Sequence, residues 1–368
     1  MKLFALSILM TTAALASAEP GIVTLRTGQV IQADDVKVSI DAVVLKSANG
    51  ERSLGWHEVR AIGGQASASA VEYLADADNA WRGLARLGRG DRVAAEPLLE
   101  KAFERLAGHK GPTAIAVSEG LLTCRVARGA QALAIEPYLT LVLNNSVEVT
   151  SNVLDERTAL YPALPPIWGN EAGLASAVTS VAWDDFSKWD SRGRARQLAE
   201  LYTAAALYEI SGQSALPEIT PVDEGVKLVH EIVVARLGNE RERASARQSL
   251  KARLEQDLPD WQQAWIHAAI GLSLLAEDDT HESRLGVVQL LYVPAQYAQS
   301  QPYLAGVCLA KASIRLAEMG RSDAAVTLAG ELAREYRHHA SIDHPIVREL
   351  IKQYQNQSTP AAPSEEDA

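Results

Sequence analysis

The chain changes its hydrophobic period once. Between residues 22 and 62, Val23 and Leu25, then Val36, Val38 and Ile40, alternate with polar neighbours at period two. Val43–Leu45, Leu54–Trp56 and Val59–Ile62 add further short runs. Such alternation marks strands with one buried face, because successive side chains point to opposite sides. Thr27-Gly28 and Asn49-Gly50 fall between runs, and Asn-Gly is a strong hairpin signal. Four or five short antiparallel strands are predicted, as a small meander or an SH3- or Sm-like barrel forming a β-module over residues 19–64. A sheet this small is marginal alone, so it is expected to lean on the helices that follow as a stabilising cap, with ligand or surface docking as the alternative.

After residue 67 the period lengthens to that of a helix. Ala95, Leu98, Leu99, Ala102, Phe103 and Leu106 fall at i, i+3, i+4, i+7, i+8 and i+11, and Ala325, Leu328, Ala329, Leu332 and Tyr336 repeat the rule. Helices are predicted near 112–129, 131–143, 171–187, 193–211, 223–237, 241–257, 260–277, 281–292, 302–319 and 344–356. They divide into helical block 1 (67–143) and helical block 2 (171–356), separated by a Pro-containing connector at 144–170. In that connector Val147, Val149, Val153, Tyr161-Pro162 and Pro165-Pro166-Ile167-Trp168 favour extended backbone. It reads as a link between blocks or as a groove-lining loop. The expected fold class is mainly α: an α-α superhelix of helical hairpins with a small N-terminal antiparallel β-module.

The two ends differ from the body. Lys2 precedes an apolar run, Leu3–Leu15, and Ala16-Ser17-Ala18 follows as a small-residue cleavage site. That is the layout of a signal peptide over residues 1–18, and its apolar run is shorter than the roughly 20 residues a spanning helix needs. The mature chain is expected to begin near Glu19 and to be periplasmic or secreted, with no integral membrane segment after cleavage. Residues 357–368, with Glu365-Glu366-Asp367, read as a disordered acidic tail.

Two stretches carry a repeat signature. Gly83 precedes Gly90-Asp91, Ala95, Leu99 and Ala102, and Ser313 and Leu316 precede Gly320, Ala325 and Ala329. Small residues where two antiparallel helices cross, with Gly at the turn, resemble the tetratricopeptide repeat. Trp265, Ala268, Ala269 and Leu272, with Pro294 expected after the next helix, resemble a third, distorted copy. The segment Glu331–His339 resembles the second-helix ending of exported bacterial proteins of this kind. Gly90 and Gly320 lie 230 residues apart, not a multiple of the roughly 34-residue period, and Arg86 replaces the usual large aromatic. Other helices must therefore interrupt the array. The stretches V-T-L-R-T-G-Q-V-I and G-E-R-S-L-G-W-H-E-V-R-A-I are similar to short β-modules at the start of exported bacterial proteins. The repeat resemblance implies a concave helical surface that holds a protein or peptide.

Composition narrows the function without naming it. With 35 Lys and Arg against 46 Asp and Glu, the net charge of -11 repels phosphate backbones, which excludes nucleic acid as the main partner. Aromatics are 5% and alanine about 16%, far above ordinary usage, which suits closely packed helices. Cys124 and Cys308 lie on apolar helical faces and are expected as buried free thiols, too far apart in an extended array to meet.

No H-E-x-x-H, C-x-x-C or G-x-S-x-G motif occurs. His338, His339 and His344 form the one His cluster, read as a solvent-facing helix end, and neighbours His57 and Glu58 face opposite ways. Ser273 reads as a packing residue and Gly88-Arg89-Gly90 as a turn. Asp184-Asp185 and Asp278-Asp279 lack calcium-loop spacing, and Asp279 or Thr280 suits an N-cap. Glu240–Arg247 reads as a solvated face with i, i+4 pairs. Trp183, Trp189, Trp261 and Trp265 could line a groove, although Trp261 and Trp265 share one helix face and suit burial.

No catalytic, cofactor-binding or metal residue is assigned. The resulting expectation is a non-enzymatic exported helical-repeat scaffold or protein-interaction protein of the bacterial cell envelope, with a protein or peptide partner. The alternatives are an exported enzyme or enzyme subunit with its site in the 144–170 loop near Asp155, Glu156 and Arg157, and a Trp-lined polysaccharide-binding protein. The leader has a direct check. The intact mass of the chain recovered from a secretion-competent bacterium should correspond to a start at Glu19, and a chain that keeps Met1 there overturns the assignment.

Overall fold

A computed structural model describes residues 21–145, 151–169 and 193–358, together with Leu174. The leader, Val147, Val149, most of the helix expected at 171–187, Trp183, Trp189, Asp184-Asp185 and residues 359–368 lie outside the described residues. The described chain is a helical-hairpin array preceded by a small antiparallel β-module, the fold class that the periodicity predicts.

The module has six strands: β1 (Gly21–Leu25), β2 (Val30–Ala33), β3 (Asp35–Val38), β4 (Val43–Ser47), β5 (Gly50–Leu54) and β6 (Val59–Gly63). They form two three-stranded antiparallel sheets, ordered β2-β1-β6 and β3-β4-β5. Asn49-Gly50 works as read, since Ser47 pairs with Gly50 across the hairpin. Strand β2 escapes the alternation rule because its apolar Val30 is exposed. Trp56 does not extend β5; it opens a 3-10 turn, Trp56–Glu58, where Glu58 accepts the N–H of Gly55 at 2.9 Å.

That turn docks the module onto the helices. The Trp56 ring is buried 4.9 Å from Tyr73, its Nε1 donates to the Ser39 carbonyl at 2.8 Å, and its backbone N–H donates to Thr113 Oγ1 at 2.6 Å. Ala70 and Ala77 complete the same core, so the module is continuous with the first helix.

Twelve α-helices are described: α1 (Ser67–Leu87), α2 (Arg92–Leu106), α3 (Pro112–Ala127), α4 (Ile135–Asn144), α5 (Arg194–Ser211), α6 (Glu224–Leu237), α7 (Glu240–Leu254), α8 (Asp260–Leu275), α9 (Thr280–Gln296), α10 (Pro302–Glu318), α11 (Ser322–Glu335) and α12 (Pro345–Ser358). Their starts follow local chemistry. Asp91, Asp223, Asn239 and Asp279 each accept a backbone N–H from the first turn, and Pro112 and Pro302 occupy first positions where no donor is required. Most adjacent helices pack as antiparallel neighbours. α6, α8, α10 and α12 also touch one another in turn and form one layer, with α7, α9 and α11 on the other side.

Two helix readings need correction. Pro294 does not follow the helix after Trp265; it lies inside α9, in the last turn, where only the bond to the Leu290 carbonyl is forfeited. The Glu240–Arg247 run is not merely a solvated face. Arg243 and Arg247 reach across to Glu277 at 3.1 and 2.6 Å, and all three side chains are largely buried.

The 144–170 connector has more structure than a link. Leu154, Leu160, Leu164, Ile167 and Trp168 are all buried, in one core that runs from Leu122 to Ala312. Tyr202 donates to the Leu164 carbonyl at 2.6 Å, Trp265 Nε1 to the Pro162 carbonyl at 3.2 Å, and Arg236 to the Pro166 carbonyl at 3.1 Å. Prolines supply no backbone N–H, so carbonyls in this segment lack local backbone donors, and these three side chains supply them. The described halves are therefore not separated along an extended array, contrary to the expectation.

Close crossings account for much of the small-residue content. Gly271 of α8 and Gly286 of α9 face each other, so that a Cβ on Gly286 would lie 2.8 Å from Leu275 Cδ2 and 2.9 Å from the Gly271 carbonyl oxygen. Gly286→Ala gains helix propensity of about 1 kcal/mol but overpacks a backbone contact at about 1–3 kcal/mol, so the clash decides the sign. Urea unfolding should show a lower midpoint for Gly286→Ala, and an unchanged or higher midpoint overturns this account of the crossing.

Candidate functional site

A cavity of about 510 Å³ opens where four parts of the chain meet. Val126–Gly129 come from the end of α3, Gln131 from the turn after it, and Ala163 from the connector. Ser300–Tyr303 bring the start of α10, and Glu335–His339 bring the end of α11 with the turn beyond it. Its volume falls within the range of sites that bind small ligands or short segments. Val126, Ala127, Ala163, Pro302, Tyr303 and Tyr336 make the lining mostly apolar.

Its walls are held by specific bonds. The Gly169 N–H donates to the Tyr303 hydroxyl at 3.0 Å, which ties the connector to α10. Tyr303 also packs against His339 with ring centroids 5.1 Å apart. The absence of a side chain at Gly306 seats that imidazole, since a Cβ there would lie 2.5 Å from His339 Cδ2.

His339 is not the solvent-facing residue expected at a helix end. α11 stops at Glu335, and the backbone turns so that His339 folds inward while His338 stays exposed. Its Nδ1 accepts the Ser341 N–H at 3.1 Å, so its Nε2 carries the proton and donates to the Tyr303 carbonyl at 2.9 Å. Burial pushes its pKa below the ordinary 6.5, against the smaller opposing effect of the carbonyl bond. A neutral imidazole with both nitrogens engaged is a bracket and offers no lone pair for catalysis or metal. His344 sits apart, beyond the 3-10 turn Ala340–Asp343, with its pKa lowered first by burial and then by Lys311.

The charges around the cavity are mostly answered. Arg128 forms a two-pronged pair with Glu96 at 2.8 and 2.9 Å, and Glu335 pairs with Arg334 at 2.8 Å. Behind the wall, Arg125 donates to the Leu133 carbonyl at 2.6 Å and to Glu100 at 3.0 Å. Arg337, exposed at the rim, makes no ion pair among the described residues. Gln131 and Gln301 are 2% and 5% exposed, and the Gln131 Oε1 is buried without a hydrogen-bond partner among the described residues.

The residues singled out from the sequence are not gathered here. Asp155 accepts both the N–H and the hydroxyl of Thr158, at 2.9 and 2.6 Å, and Arg157 reaches Gln262 at 3.4 Å. Trp261 and Trp265 are buried edge-to-face, 4.8 Å apart, and present no open ring row. Ser273 is buried and accepts from Arg247 at 3.0 Å. Cys124 and Cys308 are buried free thiols, and burial raises both pKa values. His57 is largely enclosed, its pKa lowered by burial against the opposing pull of Glu58. Asp279 caps α9 by accepting the Glu282 N–H at 2.9 Å.

A second, shallower cavity of about 370 Å³ lies along α5, where Arg196 and Glu200 neutralise each other at 2.6 Å. Among the described residues no helix is long and apolar enough to cross a membrane, and no group of three or more His, Cys, Asp and Glu is placed to hold a metal ion.

Sequence reasoning passed over the cavity because its parts lie near 128, 163, 302 and 337 and share no motif. The single usable signal was the pair of glutamines bordering helical segments, and that is not distinctive. No protein family, no curated protein and no solved structure matches the chain.

The locked state of His339 sets a pH dependence. Its pKa is lowered in the fold, so as pH falls below 6.5 the unfolded chain takes up the proton first and stability is lost. His57, His230 and His344 are lowered in the same direction, chiefly by burial, and add to that slope. His339→Gln should bring the urea midpoints at pH 7.5 and 5.5 closer together than in the native chain, and an unchanged gap overturns the assignment.

Proposed function

We propose that the chain is a non-enzymatic helical-repeat protein of the exported, tetratricopeptide-like kind, which holds a segment of a partner protein in the 510 Å³ cavity. The observation that carries this reading is the cavity itself. It is mostly apolar, built from four distant segments, and the imidazole folded into its wall, His339, has both nitrogens engaged. A site of that make-up suits binding by shape and burial rather than proton transfer.

The repeat reading draws support from the helix crossings. Gly90 and Gly320 have φ of 81° and 73° at the turns of the α1–α2 and α10–α11 hairpins, a conformation that favours glycine. Ser313, Ala325 and Ala329 are buried between α10 and α11, and Ala95, Leu99 and Ala102 between α1 and α2. Export rests on the leader, and the partner's identity on experiment. Within this reading the β-module serves as the cap of the first hairpin, since its Trp56 is spent on Tyr73 and Thr113.

A benzophenone attached through Ser300→Cys, at the exposed rim, should crosslink a partner in the envelope fraction, because Cys124 and Cys308 are shielded from labelling. Ala127→Trp, placed at an exposed lining position, should cut that yield at least tenfold with no change in Tm. Equal yields with and without the tryptophan would remove the cavity from the interaction.

A further inference from the structure

The two glutamines raise a question of chemistry. A buried amide atom without a partner loses the hydrogen bond it makes in water, and folded chains leave few such groups. Here the Gln131 Oε1, from the turn after α3, is such a group, and Gln301 lines the same cavity at the start of α10. Each carboxamide presents a donor and an acceptor together. A peptide backbone offers the same pair on every residue, whereas an acyl chain offers neither. A sugar would need an open aromatic face, and Tyr303 already has His339 against its ring.

Charge adds the second element. The chain carries -11 overall, which disfavours acidic partners at long range, but that field is screened beyond about 8 Å at physiological salt. At the rim the local groups decide. Arg128 is held by Glu96 and Glu335 by Arg334, which leaves the Arg337 guanidinium as the cation without an ion pair among the described residues. Its planar fork suits a carboxylate.

We propose that the cavity binds an extended internal peptide segment, with its backbone against Gln131 and Gln301, an apolar side chain on Tyr303 and Tyr336, and an acidic side chain at Arg337. This rests on the reading of the cavity as the partner site and specifies what that site recognises. The walls are already braced by the Gly169–Tyr303 and Tyr303–His339 bonds, so little ordering is left for binding to drive.

The test uses the full mature chain and fluorescein-labelled capped pentapeptides, Ac-Ala-Z-B-Ala-Ala-NH2, with Leu, Phe or Tyr at Z and Glu, Gln or Lys at B. In fluorescence anisotropy the Glu peptides should bind at least tenfold more tightly than their Lys counterparts, and Arg337→Glu should reverse that order. Gln131→Leu and Gln301→Leu should each weaken all peptides at least fivefold, and Gln131→Leu should also raise the Tm of the unliganded chain, because it removes an unpartnered buried acceptor. A purely packing role for the glutamines would not separate affinity from stability in that way. Peptides that fail to bind, or bind without regard to B and to Arg337→Glu, overturn the inference. If Ser300→Cys crosslinking still captures a partner and Ala127→Trp still abolishes it, the partner-site reading survives that result. Failure of both assays removes both.

Discussion

Arg236 joins more of this molecule than any motif in the chain. Its guanidinium is 5% exposed on α6, and it donates to the Pro166 carbonyl at 3.1 Å and to Glu209 of α5 at 2.8 Å. Lys311 of α10 pairs with the other oxygen of the same carboxylate. Three helices and the proline segment thus meet on one buried pair of opposite charges. Removing one partner of a buried pair typically costs about 3–5 kcal/mol, because the charge left behind is uncompensated. The arrangement can be tolerated because each group also satisfies another: the arginine a proline carbonyl, the glutamate a lysine.

That constraint explains why the irregular segment lies inside the fold. An extended stretch rich in proline cannot satisfy its own backbone, so in a core it needs donors from elsewhere. Arg236, Tyr202 and Trp265 supply them from α6, α5 and α8. With Leu160, Leu164, Ile167 and Trp168 buried among helices from both sides, the end of α3 comes to face the start of α10. The cavity is the space between those ends. Its geometry follows from the path of the segment rather than from either helix.

Period and capping made much of the architecture legible before any coordinates. Period-two alternation located five of the six strands and missed β2, whose Val30 points to solvent. The helical period located the described helices within a few residues; Asp279 suited an N-cap, and the structure shows Asp91, Asp223 and Asn239 in the same role. The errors arose where long-range packing overrides local chemistry. Pro294 sits in the last turn of α9, where little backbone bonding is lost, and Arg243 and Arg247 reach Glu277 across helices.

The sequence by itself determined the order of strands and helices, the turns, the burial of Trp261, Trp265 and both cysteines, and the scarcity of familiar chemistry. Those are local properties, set by the period of apolar residues and by the conformations that Gly, Pro and Asp prefer. Only the tertiary structure decided that the connector would be core, that His339 would turn inward against Gly306, and that Gln131, Gln301 and Arg337 would share one cavity. No pattern of spacing encodes such a meeting, because it depends on where buried carbonyls and charges far apart in the chain find their partners.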